Sequence, residues 1–336
     1  MIMIKSITSI IWLIVIITLL QSCDNSSSRG PKIDNSQMKT IDVSIHRYGK
    51  ALSEIDTANF LEDVSKIQNE FALFLGSDSY TFERLAPLYE YVTDTQLMRI
   101  SNKVMKMYPN LESEEAQLTD AFSRYNYFFP DKKIPVVYSY ISNLYYEKPI
   151  IVDDSVVIIA LDVYLGENFS QYRSLGLPQY KIRCMTADNI VVDVMKVMYV
   201  TELDPRDKQN TLVDRMIAAG KLLYYLDAVL PEVPDSLKIC YTNNQLDWIE
   251  NNKSNVWAFM VENKLFYSAD YKIQTKFIQD GPFTTGFTND SPPRVGIWLG
   301  WQIVRKYMET HPEIDLNSMI ENNDAQAIFN QSGYKP

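Results

Sequence analysis

Histidine is nearly missing from this chain of 336 residues: His46 and His311 are the only two. There is no His-Glu-x-x-His run, so the helical zinc site that needs two imidazoles one turn apart cannot be assembled. Cysteine is almost as scarce, and Cys23, Cys184 and Cys240 are too few to complete a four-ligand Cys/His site. The chain also lacks a Gly-x-Ser-x-Gly elbow, a phosphate-binding P-loop and an Asp-x-Asp-x-Asp-Gly calcium loop. Neither a metal nor an organic cofactor is expected. Positive charge is in deficit, with 32 Lys and Arg against 42 Asp and Glu and a net charge of −10. Nucleic-acid binding needs clustered Lys and Arg, so that class of partner is set aside.

What is present begins at the N-terminus. Lys5 precedes an apolar run from Ile7 to Leu20, shorter than the roughly 20 residues a membrane-spanning helix requires. The run ends in Leu20-Gln21-Ser22-Cys23, and polar Asp24-Asn25-Ser26-Ser27-Ser28 follows. Charge, apolar core, small residue and cysteine in that order read as a bacterial lipoprotein signal, the competing reading being an ordinary secretory signal or an uncleaved anchor. On the lipoprotein reading residues 1–22 are removed and Cys23 carries the lipid, palmitate included. Residues 23–37, rich in Ser, Gly and Pro, then form a flexible tether. Loss of Lys5 takes the net charge from −10 to −11. Anionic headgroups repel such a protein, so the lipid is the expected membrane attachment. In an exported protein Cys184 and Cys240 are free to pair, but pairing depends on geometry. Two buried free thiols are the default expectation.

The composition, 46% hydrophobic and 22% charged, is that of a globular domain, and the length allows a large core. Ile41-Asp42-Val43-Ser44-Ile45 alternates as a half-buried strand does. Phe60, Leu61, Val64, Ile67, Phe71 and Leu75 then recur at helical spacing, with Asn59 as a cap and Gly76 as a stop. Helices are expected over 95–107 and 113–127. The β-branched, aromatic segments 135–141 and 155–162 read as neighbouring strands. Further helices are expected over 190–200, 211–230, 244–251, 256–265, 293–308 and 324–331. Thr211 and Asp214 form a capping box for the second of these. Helices bracketing a short sheet give an α+β class. We expect one helix-rich domain over 38–336 with a small mixed sheet, and the helical front, about 41–130, as a possible lobe.

The densest stretch runs from Asp280 to Tyr307. Its first part is a loop rich in Gly, Thr and Phe, including Thr284 and Thr285. Ser291 is placed to cap a helix and Pro293 to begin it. At about 100° per residue, Arg294, Trp298, Trp301 and Arg305 fall within about 60° of each other. Such a helix start, with Arg294 and Asp280 beside Thr hydroxyls, suits an anion, and the tryptophans could stack on a sugar or peptide side chain. The competing reading is a core stripe whose arginines pair with acids such as Asp280 or Asp290. Gly296 and Gly300, four apart on another face, would admit a second backbone, as would Ala219-Gly220 on the helix over 211–230. His46 and His311 read as structural.

These blocks, together with Leu177-Pro178-Gln179-Tyr180, Thr211-Leu212-Val213-Asp214-Arg215-Met216-Ile217 and the ending Ser332-Gly333-Tyr334-Lys335-Pro336, resemble the gliding-motility lipoprotein GldB family of Bacteroidetes. Arg294-Val295-Gly296-Ile297-Trp298-Leu299-Gly300-Trp301 is the most specific of them. The resemblance implies an outer-membrane lipoprotein tied to gliding and to the associated secretion machinery. It further implies a zincin-like fold, distantly similar to zinc-metallopeptidase domains. Here the helix after the sheet reads Asn189-Ile190-Val191-Val192-Asp193-Val194-Met195, with no zinc-ligand pair. Ala218-Ala219-Gly220 stands where a glutamate ligand would follow. The expectation is therefore a non-catalytic lipoprotein that binds envelope partners, or a peptide-like or anionic ligand, through Arg294, Trp298, Trp301, Arg305, Asp280, Thr284 and Thr285. Residues 24–29 carry no acidic run, which favours the periplasmic face. The alternative is a metal-independent hydrolase acting on peptide or cell-wall material.

Overall fold

The computed structural model describes residues 30–34, 36–77, 81–205 and 210–336. The expected signal peptide, the lipidation site Cys23 and most of the tether lie outside the described residues. Strand β1 (Ile45–Arg47) leads into α1 (Tyr48–Ser53), α2 (Phe60–Ile67), α3 (Ala72–Leu75), α4 (Phe82–Thr93), α5 (Thr95–Met107) and α6 (Glu112–Phe128). Strands β2 (Val136–Tyr140), β3 (Ile150–Asp153) and β4 (Val156–Ala160) follow. Two short helices, α7 (Ser170–Ser174) and α8 (Gln179–Ile182), precede the helical second half. That half comprises α9 (Ile190–Glu202), α10 (Leu212–Val229), α11 (Asp235–Ile239), α12 (Asn243–Glu262), α13 (Tyr271–Ile278), α14 (Val295–Thr310), α15 (Leu316–Glu321) and α16 (Ala325–Ser332). The result is an α+β fold: many helices around one mixed sheet.

The sheet has the order β1-β2-β4-β3. β1 and β2 run parallel, with Ile45 opposite Val137, and β2 and β4 run parallel, with Val137 opposite Val157. A parallel pair needs a crossover, and α1–α6 supply the one between β1 and β2. β3 and β4 form an antiparallel hairpin, with Asp153 opposite Val156. Val137, Val157 and Ile159 point into the core while Val136 stays exposed, as the two-residue period of a strand requires.

The alternating segment at 41–45 is extended but is not a strand until Ile45. Its amides donate to side chains on α6 instead: Ile41 N to Ser123 Oγ at 2.9 Å, Val43 N to Thr119 Oγ1 at 3.1 Å, and Ile45 N to Glu115 Oε1 at 2.8 Å. Two extended residues advance about 6.6 Å and four helical residues about 6.0 Å, so every second amide meets one side chain per helical turn. The expected helix through 60–75 is split into α2 and α3, and it stops at Gly76, whose φ is +79°. Asn59 makes no capping bond there. α5 begins where expected because Asp94 Oδ1 accepts from the amides of Gln96 and Leu97, both at 2.8 Å.

Thr211 and Asp214 form the expected capping box on α10. The helices expected over 244–251 and 256–265 are one, α12, which starts at a second capping box of Thr242 and Gln245. The polar run 251–255 holds neither Gly nor Pro, so nothing in it breaks a helix. The hydrophobic core falls into two clusters. The smaller holds Tyr48, Leu52, Phe60, Val64, Phe71, Leu75, Leu85 and Val92, from α1–α4 and the segments between them. α5 and α6 contribute Ile100, Val104, Leu118 and Phe122 to the larger one, with the sheet and α9–α14.

α10 and α14 are the central pair. A Cβ on Gly220 would collide with the Gly300 carbonyl, and one on Gly300 with the Met216 carbonyl. The two helices can cross at backbone contact only because both positions are glycine. Cys184 and Cys240 are joined in a disulfide with Cα atoms 6.1 Å apart, which corrects the expectation of free thiols. The bond fastens the chain after α8 to the residue that ends α11. Among the described residues, no helix is long and apolar enough to cross a membrane.

Candidate functional site

The approach to α14 is a self-bonded loop. Thr284 donates from its amide and its Oγ1 to the Pro292 carbonyl at 3.0 and 2.8 Å, and its Oγ1 accepts from Val295 N at 3.3 Å. The cap of α14 is therefore lent by Thr284 from eleven residues upstream. Ser291 does not cap the helix, as the sequence had suggested, but is buried with its Oγ 3.4 Å from the Thr284 carbonyl. The helix starts at Val295 rather than Pro293, and Arg294 precedes it in the left-handed conformation, with φ +55°. Thr285 is exposed, in an isolated bridge with Phe287. Arg294 Nη2 donates to the Ile239 carbonyl at 2.7 Å, and its Nε lies 3.4 Å from Asp280 Oδ1.

The expected Arg-Trp-Trp-Arg face points inward. Trp298 and Trp301 are 2% and 0% exposed, so neither ring is open to a ligand in this conformation. The physical reason lies on α10. Asp227, 2% exposed, accepts from Trp301 Nε1 at 2.8 Å, from Arg305 Nε and Nη2 at 2.7 and 2.8 Å, and from Lys238 Nζ at 2.9 Å. Asp235 takes the other edge of the Arg305 fork at 2.9 and 3.0 Å. The Arg305 guanidinium also lies 3.7 Å from the Trp301 ring centroid. Two cations and two carboxylates thus balance. Burial opposes the charge on Arg305, but its bonds to Asp227 and Asp235 outweigh that and hold its pKa above the ordinary value. Removing one member of such a network costs about 3–5 kcal/mol, because the others stay buried and unpaired.

Above this network lies a groove of about 1230 Å³. Tyr127, Tyr224, Met308, Ile314 and Tyr334 line it, with Arg305, Lys306, Glu309 and Asp315 among its polar groups. Its remaining wall includes Gly30, Pro31 and Lys32, from the middle of the expected tether. A Cβ on Gly30 would collide with the Asp227 carbonyl, so glycine is what lets the N-terminal segment lie against α10. Of the seven residues expected to bind a ligand, Arg305 alone lines this groove. Asp280, Thr284 and Arg294 gather at the other end of α14.

The histidines stand apart. His46 Nδ1 is 3.3 Å from Glu70 and its ring packs on Tyr138, while His311 packs on Tyr307. The positions that the sequence resemblance set against a zinc site make other contacts. Asp193 pairs with Lys196 at 3.2 Å and accepts from Tyr164 OH at 3.2 Å. The space beyond Gly220 is filled by α14. Among the described residues, no three or more His, Cys, Asp or Glu come together in a group that could hold a metal ion.

Sequence reasoning missed Asp227, Asp235, Lys238, Arg183 and Tyr241. A signal existed for the first, since a lone carboxylate in the run Leu222–Leu230 has to find a cation or hydrogen-bond donors.

A family model described as gliding motility protein GldB matches residues 28–336. No curated protein matches the chain, and neither does any solved structure.

Proposed function

The chain belongs to the gliding motility protein GldB family, and from that premise we propose that it is an envelope lipoprotein that works by binding rather than by catalysis. Lipid on Cys23 holds it to the outer membrane, facing the periplasm. The groove receives an envelope partner, of the motility and secretion machinery, or a peptide-like segment of one. The observation that carries this reading is the groove's own wall. Gly30–Lys32 belong to it, and Gly30 is seven residue steps from Cys23, with six residues between them. Fully extended, those steps span at most about 25 Å, so whatever occupies the groove is held close to the membrane surface. The mixed lining, aromatic and aliphatic with a few charges, is what a protein segment of mixed character requires.

The test is site-specific photocrosslinking in intact cells. A crosslinker at Met308, in the groove, is expected to capture a defined envelope protein. One at Tyr271, 71% exposed and outside the groove, is expected to capture none. Cys23→Ala is expected to release the protein from the membrane fraction and abolish the Met308 product. Equal capture from both positions would overturn the groove. Turnover of peptide or cell-wall substrates by the purified protein would overturn the non-catalytic reading.

A further inference from the structure

The N-terminal end of α14, away from the groove, carries a second cluster. We propose that Arg183 and Arg294 form a clamp for the carboxylate of a ligand. The two guanidiniums sit on consecutive carbonyls: Arg294 Nη2 donates to Ile239 O at 2.7 Å and Arg183 Nη2 to Cys240 O at 3.3 Å. The Cys184–Cys240 disulfide ties the residue after Arg183 to that same turn. Tyr241 OH donates to the Pro293 carbonyl, next to Arg294. Both side chains are thus fixed from several directions, as a preorganised site requires.

Charge and donors are left over. Asp280 is the only carboxylate within ion-pair distance of either guanidinium among the described residues, and it reaches Arg294 alone. Glu167 acts on Arg183 from farther away and accepts a bond from Gln179 Nε2 at 3.0 Å. The Nε groups of both arginines are shut from water and have no hydrogen-bond partner. Among the described residues neither Nη1 makes a hydrogen bond, and both side chains are only half-buried, that of Arg294 being 21% exposed. Burial lowers the pKa of Arg183, and the charge of Arg294 lowers it further. Two like charges held side by side have one carboxylate, Asp280, at ion-pair distance, while Glu167 acts only from farther away, so one positive charge is left without a partner in contact. A surplus of one positive charge matches a monoanion, and planar guanidinium forks match a carboxylate. A phosphate dianion beside Asp280 would overfill the charge.

The experiment is calorimetric titration of the lipidated protein in detergent with acetate, with N-acetyl-alanyl-alanine, with the amide of that dipeptide, and with inorganic phosphate. The two carboxylates are expected to bind and the amide is not; a tighter dipeptide than acetate would identify a peptide end as the source. Arg183→Gln, at a half-buried position, is expected to weaken carboxylate binding by about tenfold or more. Asp280→Asn is expected to strengthen it, because the resident carboxylate no longer competes, and a gain of this kind cannot come from misfolding. No carboxylate binding by either the unaltered protein or Asp280→Asn would overturn the proposal. So would binding that Arg183→Gln leaves unchanged, or phosphate binding more tightly than the carboxylates. The clamp and the groove fail separately, since loss of carboxylate binding leaves the Met308 crosslink in place.

Discussion

Asp162 is a carboxylate sunk wholly in the core, with no cation at ion-pair distance among the described residues. Its charge is met by the loop after β2. Ser142 N donates at 2.8 Å, Ser142 Oγ lies 3.1 Å from each oxygen, and Leu144 N donates at 2.5 Å. Asn143 and Leu144 are both left-handed, with φ of +59° and +61°, and that bend turns the amides inward. Burial raises the pKa of Asp162, against the lowering by these bonds. The folded pKa therefore lies above the unfolded one. From about pH 4 upward the unfolded chain gives up this proton first, so the group's contribution to stability falls as pH rises toward the folded value. Asp162→Asn removes that slope and loses hydrogen bonds. In urea unfolding the advantage of the unaltered protein over the variant is expected to be largest near pH 4 and to shrink toward pH 7. A constant gap would contradict the linkage. Asp162 and Asp227 show what a single position discloses. An acid inside an apolar run must be satisfied somewhere, and that much can be read. For Asp162 the satisfiers are eighteen to twenty residues upstream in a bent loop, and for Asp227 they are Lys238, Trp301 and Arg305. Periodicity does not encode which side chains a helix crossing brings together.

At the scale of elements, spacing was a good guide where glycine or a capping box marked the geometry. Gly296, Gly300 and the Ala219-Gly220 pair pointed to close backbone approach, and the α10–α14 crossing is built on Gly220 and Gly300. Gly300→Ala is expected to destabilise the protein by on the order of 3 kcal/mol, since the Met216 carbonyl it would strike belongs to a buried helix and cannot give way. Gly281→Ala is the control: its nearest neighbour to a new Cβ is 3.7 Å away, so its urea midpoint should hardly move. If the two variants unfold alike, the crossing is not glycine-dependent. Elements went unread where the deciding partner is remote. The extended run 41–45 alternates like a strand, but its amides are satisfied by Glu115, Thr119 and Ser123 on a helix seventy or more residues away. α4 carries Pro87 in its interior, which argues against a helix locally and is overruled by burial of Leu85 and Val92. The tryptophan stripe was correctly periodic; periodicity says that a face is apolar, not whether it meets a ligand or the core.

In the whole molecule, the disulfide closes the second half of the chain. It links residues 56 apart and encloses α9 and α10, the helices at the centre of the larger core. Export to an oxidising compartment, which the lipoprotein reading implies, is the condition under which such a bond persists. A loop of this length contributes about 4 kcal/mol by restricting the unfolded chain. The bond has a second, local consequence: Cys240 is left-handed, with φ +55°, and presents its carbonyl to Arg183. Reduction is therefore expected to act on two observables. The double variant Cys184→Ser/Cys240→Ser should unfold at lower urea with an unchanged folded far-ultraviolet spectrum, because the helices it encloses are held by their own packing. It should also bind acetate more weakly than the unaltered protein, because the turn that seats both guanidiniums is released. If stability falls but acetate binding does not, the hydrogen bonds from Arg183 and Arg294 suffice to hold the turn. If neither changes, the two thiols are not joined in the folded protein.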